Sequence, residues 1–270
     1  TIAYKISPES YSLLLFISTL TIFFEYKGVF SLSKAPIISI FVLITLGFYT
    51  FSFNAARQGI ALSIFIYSIQ YIVAGNFRNF LIFIGLGFLF HKSIIVCLPL
   101  YYLFRLKFNV KLVLLLLLST ALSVSYFDDL LNIGLLISDK YSIYTQLEAS
   151  GGRMLTIAYT VYGILFILMK PLLHDYDLKE YDIYLNLYSI GTIIFFIVQF
   201  TGAYIEITRL AIYFLSSAIF IWPIIFKRLS YEIKPFVYIF FISSHFLFYY
   251  TLIDKIGNLN PYILNPMIFK

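Results

Sequence analysis

Three polar islands interrupt a chain that is otherwise almost continuously apolar: Asn54-Ala-Ala-Arg-Gln-Gly-Ile-Ala61, Leu89-Phe-His-Lys-Ser93 and Glu206-Ile-Thr-Arg-Leu-Ala-Ile-Tyr213. An ionisable side chain is costly in a hydrocarbon setting, so one retained there is by default a candidate for function. Arg57 and Arg209 each offer a planar fork of donors that grips a phosphate through two parallel hydrogen bonds. His91 adds an imidazole, whose unperturbed pKa of about 6.5 lets it take or give a proton near neutral pH. Together these residue types point to a site for an anionic substrate.

The neighbours sharpen this reading. Asn54, Arg57 and Gln58 form a polar stripe backed by Ala55, Ala56 and Gly59, small residues that suit close helix packing rather than lipid contact. Glu206, Arg209 and Tyr213 are spaced i, i+3 and i+7 and share a helix face. There Glu206 and Tyr213 can orient a sugar hydroxyl while Arg209 holds a phosphate. The competing reading of Arg209 is an arginine snorkelling to lipid phosphate, and that of His91 is a structural histidine. Lys92 and Ser93 adjoin His91, with Ser93 able to cap a following helix. Glu9, in Pro8-Glu-Ser10, is either a general base or an interfacial carboxylate. Cys97 reads as a small core residue and His245, in Ser243-Ser-His245, as a packing residue. No Cys/His cluster has metal-ligand spacing, and neither a metal nor a cofactor is expected.

The elements that must position these groups are membrane helices. Of the 270 residues 61% are hydrophobic and 12% charged, more apolar surface than a soluble domain can hide. Unbroken runs such as Leu112 to Leu118 exclude the alternation of a transmembrane barrel. Many tyrosines flank the runs as interfacial belts would. The fold class is therefore an all-α integral membrane protein, with 1–270 read as a single transmembrane domain. Spans are expected near 11–26, 35–53, 58–74, 110–127, 154–169, 181–200, 210–226 and 236–253, a bundle of about eight transmembrane helices. Because the chain opens at Thr1 with a short polar stretch, further N-terminal spans are expected before it.

Residues 79–104 are interrupted at His91, Lys92 and Ser93, and the distribution of basic residues decides how they are read. Treated as a re-entrant helical hairpin, they leave Lys27, Lys34, Arg78, Arg105, Lys107, Lys111, Lys170, Lys179, Lys227, Arg228 and Lys234 cytoplasmic, 11 against 7 outside; a simple crossing gives 10 against 8. The hairpin topology puts Arg57, Arg153 and Arg209 on the outer side, each just before a helix running inward. A helix N-terminus carries free N–H groups and about half a positive charge, which attracts anions. The outer segment 128–150 has apolar spacing (Leu130, Ile133, Leu136, Ile137) that fits an amphipathic helix on the membrane surface. The net charge of +6 is scattered among loops and gives no reason to expect nucleic acid.

Asn54-x-x-Arg-Gln-x-Ile-Ala61, followed by Phe90-His91-x-Ser93, resembles the EpsG-like branch of Wzy-type polysaccharide polymerases. Arg209-Leu-x-x-Tyr213-Phe214, Lys140-Tyr141-x-x-Tyr144 and the Glu before the first span are similar to that family too. The resemblance runs from about residue 8 to residue 226. Further N-terminal spans and an acidic, aromatic outer loop belong to the family pattern and are not present in this sequence. The resemblance implies a GT-C-like enzyme of the bacterial inner membrane that joins oligosaccharide repeat units carried on undecaprenyl pyrophosphate at the outer face. It implies membrane lipid as surroundings and a chain-length regulator as a possible partner. On this reading Arg57, His91, Arg209 and Glu9 are catalytic. Gln58, Asn54, Lys92, Ser93, Tyr141, Tyr144, Arg153, Glu206 and Tyr213 bind substrate, the two outer tyrosines by stacking on sugars. The rival readings are a flippase for the same lipid-linked sugar, which would also need cations within the bilayer, and a membrane O-acyltransferase centred on a histidine.

Overall fold

A computed structural model of the chain describes residues 10–126, 129, 152–173, 178–201 and 207–256, and every regular element among them is helical. The chain forms two compact units, residues 1–98 with 222–270, and residues 99–221. The first begins with α1 (Ser10–Leu32), α2 (Pro36–Thr45), α3 (Phe51–Asn54), α4 (Ala56–Ala74) and α5 (Phe77–Phe90), followed by a 3₁₀ helix, Lys92–Cys97. The second holds α6 (Tyr101–Phe104), α7 (Val110–Ser125), α8 (Arg153–Met169), α9 (Leu178–Thr201) and α10 (Thr208–Leu215). The boundary falls inside α11 (Ala218–Arg228), and α12 (Lys234–Thr251) returns to the first unit.

Local chemistry sets several of these ends. Pro36 sits in the first turn of α2, where its missing N–H costs nothing. Gly75, at φ 76°, closes α4 in the left-handed conformation, with the Asn76 N–H bonded to the Tyr71 carbonyl at 2.9 Å. The Asn76 side chain then caps α5 through the Asn79 N–H at 3.0 Å, and Asn109 caps α7 through the Leu112 N–H at 3.0 Å.

In the first unit α1 packs on α4. A Cβ on Gly28 would lie 3.1 Å from the Tyr67 Cα, so only glycine lets the two backbones approach this closely. In the carboxyl-terminal part Trp222, Phe241, His245 and Phe41 form an aromatic cluster, with ring centroids 4.7 Å apart for Trp222–Phe241 and 4.3 Å for Phe241–His245. His245 is buried there with Nδ1 2.9 Å from the Phe241 carbonyl oxygen, a packing position. Cys97 is likewise a buried core residue.

Five helices among the described residues are long and apolar enough to cross a membrane: Ser12–Leu32, Arg153–Leu172, Leu178–Thr201, Thr208–Arg228 and Lys234–Asp254. The expected span at 35–53 is not one helix. α2 stops at Thr45, Gly47 takes φ 79°, and α3 is a single turn. Ten residues rise only about 15 Å, half the hydrocarbon core. The irregular backbone between them is admissible at that depth because Leu46, Gly47 and Phe48 are buried in protein. α4 has the length to cross, yet Arg57, Gln58, Ser63, Ser68 and Gln70 lower its hydropathy. The segment 79–104 is broken at His91 as expected, but its second arm is a 3₁₀ helix and a one-turn α6 rather than a second α-helix.

Candidate functional site

Tyr71 stacks on Phe83 at 5.2 Å, and a Cβ on Gly87 would lie 3.6 Å from the Ile64 Cγ2, so α5 runs back along α4. One turn beyond Gly87, His91 therefore arrives level with the opening turns of α4, which carry Arg57 and Gln58. Arg57 and His91 thus occupy the same end of the first unit. His91 is half-buried and extended (φ −148°, ψ 118°), and its N–H bonds the Gly87 carbonyl at 3.0 Å. The chain then doubles back, because Ile94 would meet a Cβ on Gly87 at 2.5 Å. Ser93 is not the cap of the second arm. His91 holds that position, without a side-chain capping bond, and Ser93 is already the second residue of the 3₁₀ helix. Lys92 is exposed at the tip.

α3 is pressed against the start of α4. A Cβ on Gly59 would stand 2.7 Å from the Ser52 Cα, so the Arg-Gln-Gly sequence is the one that admits this approach. Asn54 and Arg57 are exposed on either side of the junction at Ala55, while Gln58 is only 5% exposed and faces into the packing.

In the second unit the Tyr181 hydroxyl donates to the Phe166 carbonyl at 2.7 Å and the Tyr188 hydroxyl to the Tyr159 carbonyl at 3.1 Å, so α8 and α9 are antiparallel. The Ser217 hydroxyl donates to the Tyr184 carbonyl at 2.9 Å, and a Cβ on Gly191 would touch Leu215, so the segment from α10 onward is antiparallel to α9 as well. Running both registers back puts Arg153 and Arg209 level with one turn of α9, around Phe195. Both guanidinium residues are exposed, whereas Tyr213, one turn past Arg209, is 1% exposed.

The other end of this unit is a polar clamp that sequence reading missed. Lys170 Nζ reaches Asp182 at 2.5 Å and the Phe108 carbonyl at 2.6 Å. Asn186 Nδ2 donates to the carbonyls of Phe104 and Leu106 at 3.0 and 2.7 Å, fixing a loop that contains Arg105 and Lys107. Between the two ends runs a slot of about 280 Å³ along α7, α8 and α9, from Phe108 and Leu116 to Phe196. Thr120, Thr160 and Thr192 line it but donate to carbonyls of their own helices at 2.7, 2.6 and 3.1 Å, so they present methyl groups.

A shared feature links the three arginines. α4, α8 and α10 start at Ala55, Gly152 and Ile207 without a side-chain cap, and each has an arginine as its first or second residue. Neither Arg57 nor Arg153 has an ion-pair partner among the described residues. α12 also opens on a cation, Lys234, but the adjoining Pro235 removes one of its free N–H groups. Such helix starts can receive an anion through backbone N–H groups and a guanidinium together. Glu9, Tyr141, Tyr144, Glu206 and, apart from residue 129, the surface helix expected at 128–150 lie outside the described residues.

Set against models of known protein families, residues 1–264 match the EpsG family. No curated protein and no solved structure matches the chain.

Proposed function

The chain belongs to the EpsG family, whose members are associated with glycosyltransferase-like polysaccharide polymerases of membranes, and on that premise we propose that it joins lipid-linked oligosaccharide repeat units. The substrates are undecaprenyl-pyrophosphate-linked oligosaccharides, and the reaction takes place at the outer face of the bacterial inner membrane. The observation that supports this reading best is the set of uncapped helix starts bearing Arg57, Arg153 and Arg209. A lipid pyrophosphate is the anion that a multi-span polymerase must hold and release.

In the proposed reaction a hydroxyl of one repeat unit attacks the anomeric carbon of the glycan on the other lipid. The new glycosidic bond forms as the bond from that carbon to the pyrophosphate oxygen breaks, and the lipid pyrophosphate leaves with the electron pair. Arg57 and Arg209 stabilise the charge that develops on departure. His91 takes the hydroxyl proton, with Glu9 the alternative base. Arg153, Lys92, Ser93 and Asn54 bind phosphate or sugar oxygens, Glu206 a sugar hydroxyl, and Tyr141 and Tyr144 stack on sugars. Gln58 and Tyr213 are buried, so their part is to hold the neighbouring arginines in place. The methyl-lined slot of the second unit suits a length of isoprenoid chain. The full bundle on this reading has about eight membrane segments, the one at 35–53 broken at Gly47, with a re-entrant 79–104 and a GT-C-like arrangement.

Arg57→Ala, inserted normally in the membrane, should abolish long-chain glycan while leaving single repeat units on their lipid. Full chain length in that variant sinks the proposal. Detergent-purified protein should also lengthen lipid-linked units without any membrane gradient, which a flippase would not do.

A further inference from the structure

Glu25 stands in the middle of an apolar span. It lies one turn from Ile22, the midpoint of Ser12–Leu32, and is 3% exposed. It has no hydrogen bond or ion pair among the described residues, and neither does the Thr21 hydroxyl one turn before it on the same stripe. The Glu25 side chain lines a groove of about 280 Å³ between α1 and the truncated α2, whose other walls include Tyr26, Val29, Leu43 and Tyr49. No described basic residue lines that groove. Ile22 and Tyr26, two of its lining residues on this membrane span, are 49% and 55% exposed.

A mid-membrane carboxylate needs a counter-charge or a bound proton, and residues of this kind ordinarily pair with a cation inside the bilayer. A carboxylate lining a groove without a described basic residue is complementary to a cation carried in on an aliphatic stem, as a lysine ammonium is. An ammonium donates to the carboxylate oxygens, and the rings of Tyr26 and Tyr49 in the groove wall favour a cation. At mid-span such a stem comes from another membrane helix rather than from a lipid headgroup. We propose that this groove is the docking site for a membrane-spanning helix of a partner protein that carries a lysine near its midpoint.

The test reconstitutes the full chain in vesicles with a synthetic poly-leucine membrane helix carrying one lysine, and reads association by energy transfer. A central lysine should associate about tenfold more tightly than a lysine-free helix, and a lysine moved to the helix end should lose that gain. Glu25→Gln, matched to the parent by thermal unfolding, should erase the difference. Equal association of the central-lysine and lysine-free helices overturns the proposal and leaves Glu25 as a protonated core acid. Persistence of the difference in Glu25→Gln overturns it equally.

Discussion

An arginine in the first turn of a helix faces the positive end of the macrodipole, a mismatch of about 0.3–1 kcal/mol unless an anion answers it. Arg57, Arg153 and Arg209 all occupy such places, which makes them poor choices for stability and, on the proposed function, good ones for gripping a pyrophosphate. The proton belongs to His91 on the proposed mechanism, and that can be separated from a structural role. His91→Asn should lower kcat for glycan extension far more than it changes KM, and the acid limb of the pH–rate profile should disappear with it. A variant that keeps the parent's limb would move the base elsewhere, with Glu9 first in line. Arg57 and His91 stood out in the sequence because polar residues in an apolar run are costly to keep there. The clamp of Lys170, Asp182 and Asn186 did not, since Asn186 meets carbonyls at Phe104 and Leu106 across a long separation that leaves no local spacing. Nor did the sequence reading single out Glu25, although the same argument from a charge in an apolar run applies to it.

Helices that are long and evenly apolar announced themselves, and α8, α9, the α10–α11 segment and α12 lie within a few residues of the expected spans. The failure at 35–53 has a specific cause. Averaged hydropathy cannot register a single positive-φ glycine, although Thr45, Gly47, Thr50 and Ser52 in one run were the available hint. The contact of α3 with α4 then depends on Gly59. Gly59→Val should force α3 off α4 and lower stability by about 1–3 kcal/mol, as overpacking does. Thermal unfolding in detergent reads this directly, and glycan extension should fall with it because Arg57 moves. Gly85→Ala meets nothing within 4 Å and should leave glycan extension unchanged while keeping or slightly raising stability. Equal stability of the two variants would show that the close approach is not required.

For the molecule as a whole, the proposed orientation in the membrane rests on the distribution of basic residues. Cysteines placed at Asn54 and Arg153 should be labelled by impermeant reagents from outside the cell, and cysteines at Lys34 and Lys107 only after the membrane is opened. Labelling of Asn54 from the cytoplasm would reverse the topology and remove the outer-face reaction with it. The half-length α2 carries a further consequence, for the bilayer itself. Beside a helix of about 15 Å the hydrocarbon cannot keep its full depth, so acyl chains there must thin, tilt or give way to water. A bulky sugar-diphosphate arriving from the interface would then meet a dip in the membrane instead of a wall. On the proposed function, the thickness of the host bilayer should then influence how fast the polymer grows.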